Sequence, residues 1–287
     1  MGLVCTLEGI DISDKEADLL NSPQVDGIII FRKNISNLSQ LKNLCHEVKS
    51  INKKLIIGID HEGGRISRID RFLSKTRTPF CLGQIYESAP KTAISLMKLE
   101  QKIYAEALAE IGITHVLGPC VDRNLSSCII SDYQRAYHKN PEIVVNLASS
   151  FIESFHQFNI TCVIKHYPGH GAALGDTHVD ITWDPRKMES IEKDIFIFEE
   201  LIRRYPLIEV MLSHVRYLAA DSVPASISDY WYERLFNLTK NRQKIWSDCL
   251  GMKAIPSTVK YNLKKWLKSY RLIYAHQSVD FYKEILT

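Results

Sequence analysis

Short apolar runs alternate with amphipathic stretches along this chain. Eight runs read as buried strands: 2–7, 27–31, 55–60, 114–122, 161–166, 209–214, 244–248 and 272–276. Between them, apolar residues recur at helical spacing. Leu38, Leu41, Cys45 and Val48 form one stripe. Leu96, Leu99, Ile103 and Ala107 form another, ending near Gly112. Asn140-Pro141 opens a helix with Ile143, Leu147, Phe151 and Phe155 on one face, and Met188, Ile191, Ile195, Phe198 and Ile202 line the next. Ser13 and Glu16 are spaced as a capping box. Each stripe predicts a helix face packed on a sheet.

Eight strands alternating with helices predict an α/β fold, a single (β/α)8 TIM-type barrel in which residues 1–287 form one domain. An open doubly wound sheet is the alternative. Neither a GxGxxG fingerprint nor a Walker A loop is present to favour nucleotide binding.

The strand ends carry the chemistry. The third run ends at Asp60-His61-Glu62, the fourth at Asp122 and the fifth at Lys165-His166. The sixth ends at His214, the seventh at Asp248 and the eighth at His276. A parallel barrel brings such ends together on one face, where active sites form. The fifth run continues into a glycine-rich loop, Lys165-His166-Tyr167-Pro168-Gly169-His170-Gly171, followed by Asp176-Thr177-His178. Buried strand ends rarely carry so many titratable groups without a use.

Composition narrows the class without naming the reaction. At 287 residues, 45% hydrophobic and 24% charged, the chain is an ordinary globular protein. A net charge of +3, from 36 basic and 33 acidic residues, argues for neither a nucleic-acid nor a membrane partner. A basic stretch, 260–271, holds Lys264, Lys265 and Lys268 and reads as the wet face of a helix. Seven cysteines, at 5, 45, 81, 120, 128, 162 and 249, form no CxxC pair and favour a reducing compartment. With no leader-like N-terminus and no apolar run near the ~20 residues of a membrane helix, the expected location is cytoplasmic.

Two chemistries fit the strand ends. His166, His170, His178 and His214, with Asp60 or Asp248, offer ligands for a hydrolytic metal, although their spacing matches no compact motif. Alternatively, a proton donor and a carboxylate could cleave a glycosidic bond, with arginine, lysine and aspartate holding sugar hydroxyls.

The motifs carry a resemblance. Asp60-His61-Glu62-Gly63-Gly64-Arg65, with Arg68, resembles the D-Q-E-G-G-R-x-x-R motif of bacterial β-N-acetylhexosaminidases of glycoside hydrolase family 3. Lys165 to Gly171 is similar to that family's K-H-F-P-G-H-G, and Asp176-Thr177-His178 to its D-[ST]-H. Ser213-His214-Val215, Pro224-Ala225-Ser226 and Ser247-Asp248-Cys249-Leu250-Gly251-Met252 resemble its A-H-x, P-A-[ST] and S-D-D-L-x-M segments, in the same order. The resemblance implies a single (β/α)8 domain and a retaining exo-β-N-acetylglucosaminidase without cofactor or metal. Its implied substrate is a small muropeptide fragment, GlcNAc joined β-1,4 to anhydro-N-acetylmuramic acid, cleaved in cell-wall recycling. Asp248 would be the nucleophile, and His178 the acid/base oriented by Asp176. Asp60, Arg68, Arg135, Lys165 and His166 would hold the sugar, with Met252 packed beside it. The alternatives are a phosphorylase using phosphate in place of water, a catalytically weakened sugar-binding barrel and a metal-dependent hydrolase.

The chain also departs from the motifs. His61 stands for a glutamine and Cys249 for the second aspartate of S-D-D. Lys268-Ser269-Tyr270-Arg271 replaces an Ala-Gly turn and an aspartate, and the chain ends at Thr287. This predicts a shortened C-terminal helical layer in which Phe281, Ile285 and Leu286 cover only part of the last strand and leave apolar barrel surface. It also predicts a monomer or a homodimer formed through that side.

Overall fold

The computed structural model describes residues 2–127, 129–255, 267 and 270–286. Cys128 and the lysines at 264, 265 and 268 lie outside the described residues. Eight parallel strands form the sheet: β1 (Leu3–Cys5), β2 (Val25–Ile30), β3 (Ile56–Gly63), β4 (His115–Leu117), β5 (Thr161–Tyr167), β6 (Glu209–Leu212), β7 (Ile245–Cys249) and β8 (Arg271–Ile273). Each pairs with the next in chain order, and β8 pairs with β1, so the sheet closes into a barrel and the open-sheet alternative falls. Among the described residues, the surrounding helices are α1 (Asp14–Leu20), α2 (Leu38–Ile51), α3 (Pro79–Ser88), α4 (Pro90–Ile111), α5 (Pro141–His156), α6 (Met188–Arg204), α7 (Asp229–Thr239) and α8 (Val279–Leu286). Among the described residues, no helix is long and apolar enough to cross a membrane.

Strand periodicity aims the site. Val4, Ile29, Ile56, Leu117, Val163, Met211, Trp246 and Ile273, one from each strand, form a separate apolar cluster inside the barrel. Each such burial stabilises the fold by roughly 1.5–3 kcal/mol relative to exposure. Side chains alternate across a strand, so the inner face of β3 runs Ile56, Gly58, Asp60. On the same rule β5 runs Val163, Lys165 and β7 runs Trp246, Asp248. The polar strand ends therefore continue the barrel's inner lining upward, above a dry floor. Below that floor, Glu209 accepts two bonds from Arg271, at 2.9 and 2.8 Å, and a third from the Trp246 indole. Arg271 thus starts a barrel strand as an ion-paired residue, and does not lie on the wet helix face that the basic stretch predicts.

Two further expectations need correction, and a third is refined. The apolar run predicts strand as far as Asp122, but β4 stops at Leu117. Pro119 has no N–H to offer the ladder, and beyond it a bridge from Cys120 to Lys165 holds the segment. The stripe on α4 is a different one. Leu99 and Ile103 are exposed, and the buried face runs Ala93, Met97, Gln101, Tyr104, Leu108 and Ile111. At the C-terminal end, Phe281, Ile285 and Leu286 pack half-buried against the core as expected, while the deepest anchors of α8 are Val279 and Tyr282. The Tyr282 hydroxyl donates to the Tyr274 carbonyl at 2.7 Å and accepts from the Thr6 N–H at 3.2 Å, tying α8 to the ends of β8 and β1. The other helices that the sequence predicts are present, while α3 and α7 lie where it marks none. Ser13 and Glu16 form the capping box, and Asn140 caps α5 with Pro141 in its first turn.

Gln101 is buried because His61 is. On β3 the residue after Asp60 points outward, so His61 enters the helix layer. There its Nε2 meets Gln101 Oε1 at 2.7 Å, its Nδ1 meets Ser67 Oγ at 3.0 Å, and its ring stacks on Tyr104 at 4.3 Å. Burial pushes this imidazole from its ordinary 6.5 down to about 4. The folded protein keeps it neutral while the unfolded chain protonates it. Its contribution is thus complete above pH 6.5 and is lost as pH falls toward about 4. The expected slope is about 1.4 kcal/mol per pH unit within that window. His61→Gln, which restores the resembled motif, should lose about 2 kcal/mol less than wild type between pH 7.5 and 5. Denaturant titrations at both pH values check this, and parallel losses in the two proteins would show that His61 does not set acid stability.

Candidate active site

A cavity of about 510 Å³ opens at the C-terminal ends of the strands. All nine site residues expected from sequence line it: Asp248, His178 and Asp176, with Asp60, Arg68, Arg135, Lys165, His166 and Met252.

Its floor is a chain of alternating charges. Lys165 Nζ lies 2.9 Å from Asp60 Oδ1 and 2.8 Å from Glu62 Oε1. Arg68 binds the other oxygen of Asp60 at 2.6 Å. Arg135 clamps Glu62 with two bonds of 2.8 Å. A turn makes the first contacts reachable. Gly63 and Gly64 take φ of +92° and +56°, values that side chains resist, and fold Ile66-Ser67 back antiparallel to β3. The return brings Arg68 onto Asp60. Burial alone would raise both carboxyls. Lys165 and Arg68 outweigh it at Asp60 and hold that group well below the usual range, while Arg135 and Lys165 hold Glu62 at about 2. The same carboxylates raise Lys165 above its ordinary value against the pull of burial. The floor is therefore fully ionised at neutral pH, and its hydrogen-bonding geometry is fixed before any ligand arrives.

His166 stands beside this floor, held by Asp122, an acid that the motifs do not mark as a site residue. Asp122 Oδ2 accepts from His166 Nδ1 at 2.7 Å, and Asp122 Oδ1 accepts from the His170 N–H at 2.7 Å. The bond at Nδ1 turns Nε2 of His166 away from Asp122. Burial raises the Asp122 carboxyl, but His166 and the His170 N–H outweigh it and keep it ionised. Glu62 is the second acid of this kind. Both sit in segments that the sequence displays, but their partners lie 73 and 44 positions away, so no local pattern marks them.

The loop after β5 carries the His178 pair. It leaves the barrel over Gly171, where a Cβ would lie 2.0 Å from the Arg123 carbonyl oxygen, so only glycine lets the two chains pass. Asp176 Oδ1 then meets His178 twice, at the backbone N–H (2.8 Å) and at ring Nδ1 (2.7 Å). With Nδ1 bonded to a carboxylate, Nε2 is the atom left for chemistry. The His178 side chain is 56% exposed, on the open side of the cavity. Asp176 is held below its ordinary pKa by these bonds against partial burial.

Asp248 enters from the end of β7. Burial raises its carboxyl, but His214, His166 and the Cys249 N–H, which donates at 2.7 Å, together lower it. It is an ionised carboxylate with no cation bonded to it among the described residues, in contrast to Asp60 and Glu62. His214 supports this strand end and is not available as a metal ligand. Its Nδ1 pairs with Ser226 Oγ at 2.6 Å and its Nε2 with the Cys249 carbonyl at 2.7 Å. Cys249 accepts the Ala275 N–H at 3.2 Å, which ties β7 to the end of β8. Burial pushes its thiol up to about 11, so it is not a thiolate at neutral pH.

The four histidines that could form a metal set do not converge. Among the described residues, the one cluster of ligand atoms within 4.8 Å is Cys120, Asp122 and His166. Hydrogen bonds of 3.3 and 2.7 Å to Asp122 already join it.

A closed parallel barrel whose cavity joins an unpaired carboxylate, a carboxylate-held histidine and an ionised floor is the arrangement a glycoside hydrolase requires. Comparison with known proteins agrees. Residues 3–266 match the glycosyl hydrolase family 3 N terminal domain. The β-hexosaminidase of Haemophilus influenzae is 33% identical over 256 residues, covering 88% of this chain and 72% of its own. That of Thioalkalivibrio sulfidiphilus is 31% identical over 227 residues, covering 78% of this chain and 65% of its own. The crystal structure of NagZ from Neisseria gonorrhoeae in complex with N-trifluoroacetyl-D-glucosamine superimposes with a TM-score of 0.89 at 27% identity, over 99% of this chain and 83% of that one. The chain belongs to glycosyl hydrolase family 3, and its matched relatives are β-hexosaminidases.

Proposed function

We propose that this protein is a retaining exo-β-N-acetylglucosaminidase. The observation that carries the reading is that Asp248, free of any bonded cation among the described residues, shares one cavity with the Asp176–His178 pair and the charged floor. Asp60, Arg68, Lys165, Arg135 and His166 hold the hydroxyls of one terminal sugar, and Met252 packs against it. Protonated His178 gives its Nε2 proton to the glycosidic oxygen while Asp248 attacks the anomeric carbon. The C–O bond breaks, the aglycone leaves as an alcohol, and the sugar is esterified to Asp248. Neutral His178 then takes a proton from water, whose oxygen attacks the same carbon and frees Asp248. Two inversions leave the configuration retained. Asp176 keeps Nδ1–H bonded throughout and offsets the charge of the imidazolium.

The natural substrate in this reading is GlcNAc-β-1,4-anhydro-N-acetylmuramic acid or its peptide-bearing form, cleaved in the cytoplasm during cell-wall recycling. The likeness to a NagZ that binds a glucosamine derivative supports the sugar assignment. The test is release of 4-nitrophenol from its β-N-acetylglucosaminide, with and without chelator and phosphate. The expected result is free GlcNAc as product, at a rate that neither addition changes. Loss in chelator with recovery on zinc or manganese would return the metal hydrolase. GlcNAc 1-phosphate as product would make the enzyme a phosphorylase. No turnover at all would leave a sugar-binding barrel.

A further inference from the structure

The loop that carries Asp176 and His178 leaves and returns over one buried carboxylate, Asp194 of α6. At the loop's start Gly169, with φ of +139°, rests on that residue, and a Cβ there would lie 2.6 Å from the Asp194 Cβ. Asp194 Oδ1 accepts from Arg123 at 3.1 Å. The Arg123 segment is fastened to the loop again at Gly171, whose carbonyl accepts the N–H groups of Ser126 and Ser127, each at 3.0 Å. At the loop's end Arg186 donates to Asp194 Oδ2 at 2.5 Å and grips Asp184 with side-chain bonds of 3.0, 3.0 and 2.6 Å. Asp184 in turn belongs to the short parallel pairing of Trp183–Asp184 with Arg216–Tyr217.

Asp194, Arg123, Arg186 and Asp184 all lie outside the cavity lining, so they touch no substrate in the proposed reaction. Desolvation offsets much of the attraction in such a cluster, but charge-assisted bonds to both carboxylate oxygens fix its directions. Between the anchors, the side chains of Asp176 and His178 bond only each other among the described residues, and the Thr177 carbonyl accepts the Ala254 N–H at 3.2 Å. The placement of His178 is therefore inherited in large part from the two ends of its loop. Resting on the acid/base reading of His178, we infer that Asp194 is a positioning residue for the reaction. Held by Arg123 and Arg186, it sets the course of the loop and so the approach of His178 Nε2 to the glycosidic oxygen.

Asp194→Asn keeps the volume but turns an amide donor toward one of the two guanidiniums, so one anchor opens. Misplacing a catalytic group by about 1 Å can cost up to ~10² in rate. The experiment measures kcat/KM on aryl β-N-acetylglucosaminides spanning leaving-group acidity, for wild type, Asp194→Asn, His178→Ala and the double variant. Asp194→Asn should cost about tenfold on the poorest leaving group and less than about twofold on the nitrophenyl glycoside. In the His178→Ala background it should cost less than about twofold on every substrate. Arg186→Lys, which keeps the charge and loses the planar fork, should repeat the pattern in milder form, and it decides the matter if Asp194→Asn does not fold. A merely structural role would lower every rate by one factor and would persist without the imidazole. That result, or no loss in either variant, would overturn the inference while leaving the His178 reading intact. If His178→Ala itself shows no dependence on the leaving group, the acid/base reading fails and this inference with it.

Discussion

Asp248→Ala is expected to abolish turnover, by on the order of 10⁴–10⁶, in a protein that folds as well as wild type. The loss is large because the other carboxylates of the cavity are engaged, Asp176 with His178 and the rest with cations. Asp60 and Glu62 line the same cavity but are neutralised by Lys165, Arg68 and Arg135, and a carboxylate in a tight ion pair is a poor nucleophile. Stability should hold because the Asp248 side chain bonds only the N–H of the next residue among the described residues. The strand around it is fixed by the buried Trp246 and by Ser247, whose Oγ accepts the Ile273 N–H at 3.0 Å. The neighbours of Asp248 outweigh burial and hold the carboxylate ionised, so losing the charge forfeits a modest stabilisation, and the melting temperature should be unchanged or slightly lower. The measurements are steady-state rates, a thermal melt and the intact mass after a slow fluorinated substrate. The mass should rise by one glycosyl unit in wild type and not in the variant. A folded Asp248→Ala protein that retained substantial activity would end the nucleophile assignment.

The different weights of these carboxylates are only partly legible in the sequence. Alternation along a strand is a local rule, so it is enough by itself to aim the ends of the apolar runs, Asp60, Lys165 and Asp248, into the barrel. Closure is legible for a related reason, since eight strand–helix units leave few other topologies. Pairing at long range lies beyond local pattern. Nothing near Glu62 announces Arg135, and nothing near Asp122 announces His166, yet these contacts decide which acid is structural and which is free to react. The same limit misplaces the stripe on α4. Gln101 looks like a surface residue, so the letters favour an apolar face through Leu99 and Ile103. Only the position of His61, forty residues earlier, shows that the glutamine is a buried partner. At β4 the run of apolar letters conceals Pro119, whose missing N–H interrupts the ladder, so that beyond Leu117 only the isolated Cys120–Lys165 bridge continues it.

His178→Ala should lower kcat/KM by roughly 10²–10⁴ on glycosides with poor leaving groups, the usual range for general acid–base catalysis. The argument is local. Asp176 holds Nδ1 at 2.7 Å, which sets the ring's orientation and leaves Nε2 as the proton-carrying atom on the open side of the cavity. An alkoxide leaving group needs that proton as the bond breaks, whereas a nitrophenolate does not. The loss should therefore shrink as the leaving group becomes more acidic, and the glycosylation step of the nitrophenyl substrate should be the least affected. Asp176→Ala should show the same dependence in milder form, because the imidazole survives but loses its orientation and its stabilising charge. Neither change should disturb folding, since His178 is half exposed and its ring bonds only Asp176 among the described residues. A series of aryl glycosides spanning leaving-group acidity, assayed on wild type and both variants, separates the roles. If His178→Ala costs the same factor across the whole series, the ring binds or shapes the site, and the proton must come from another group.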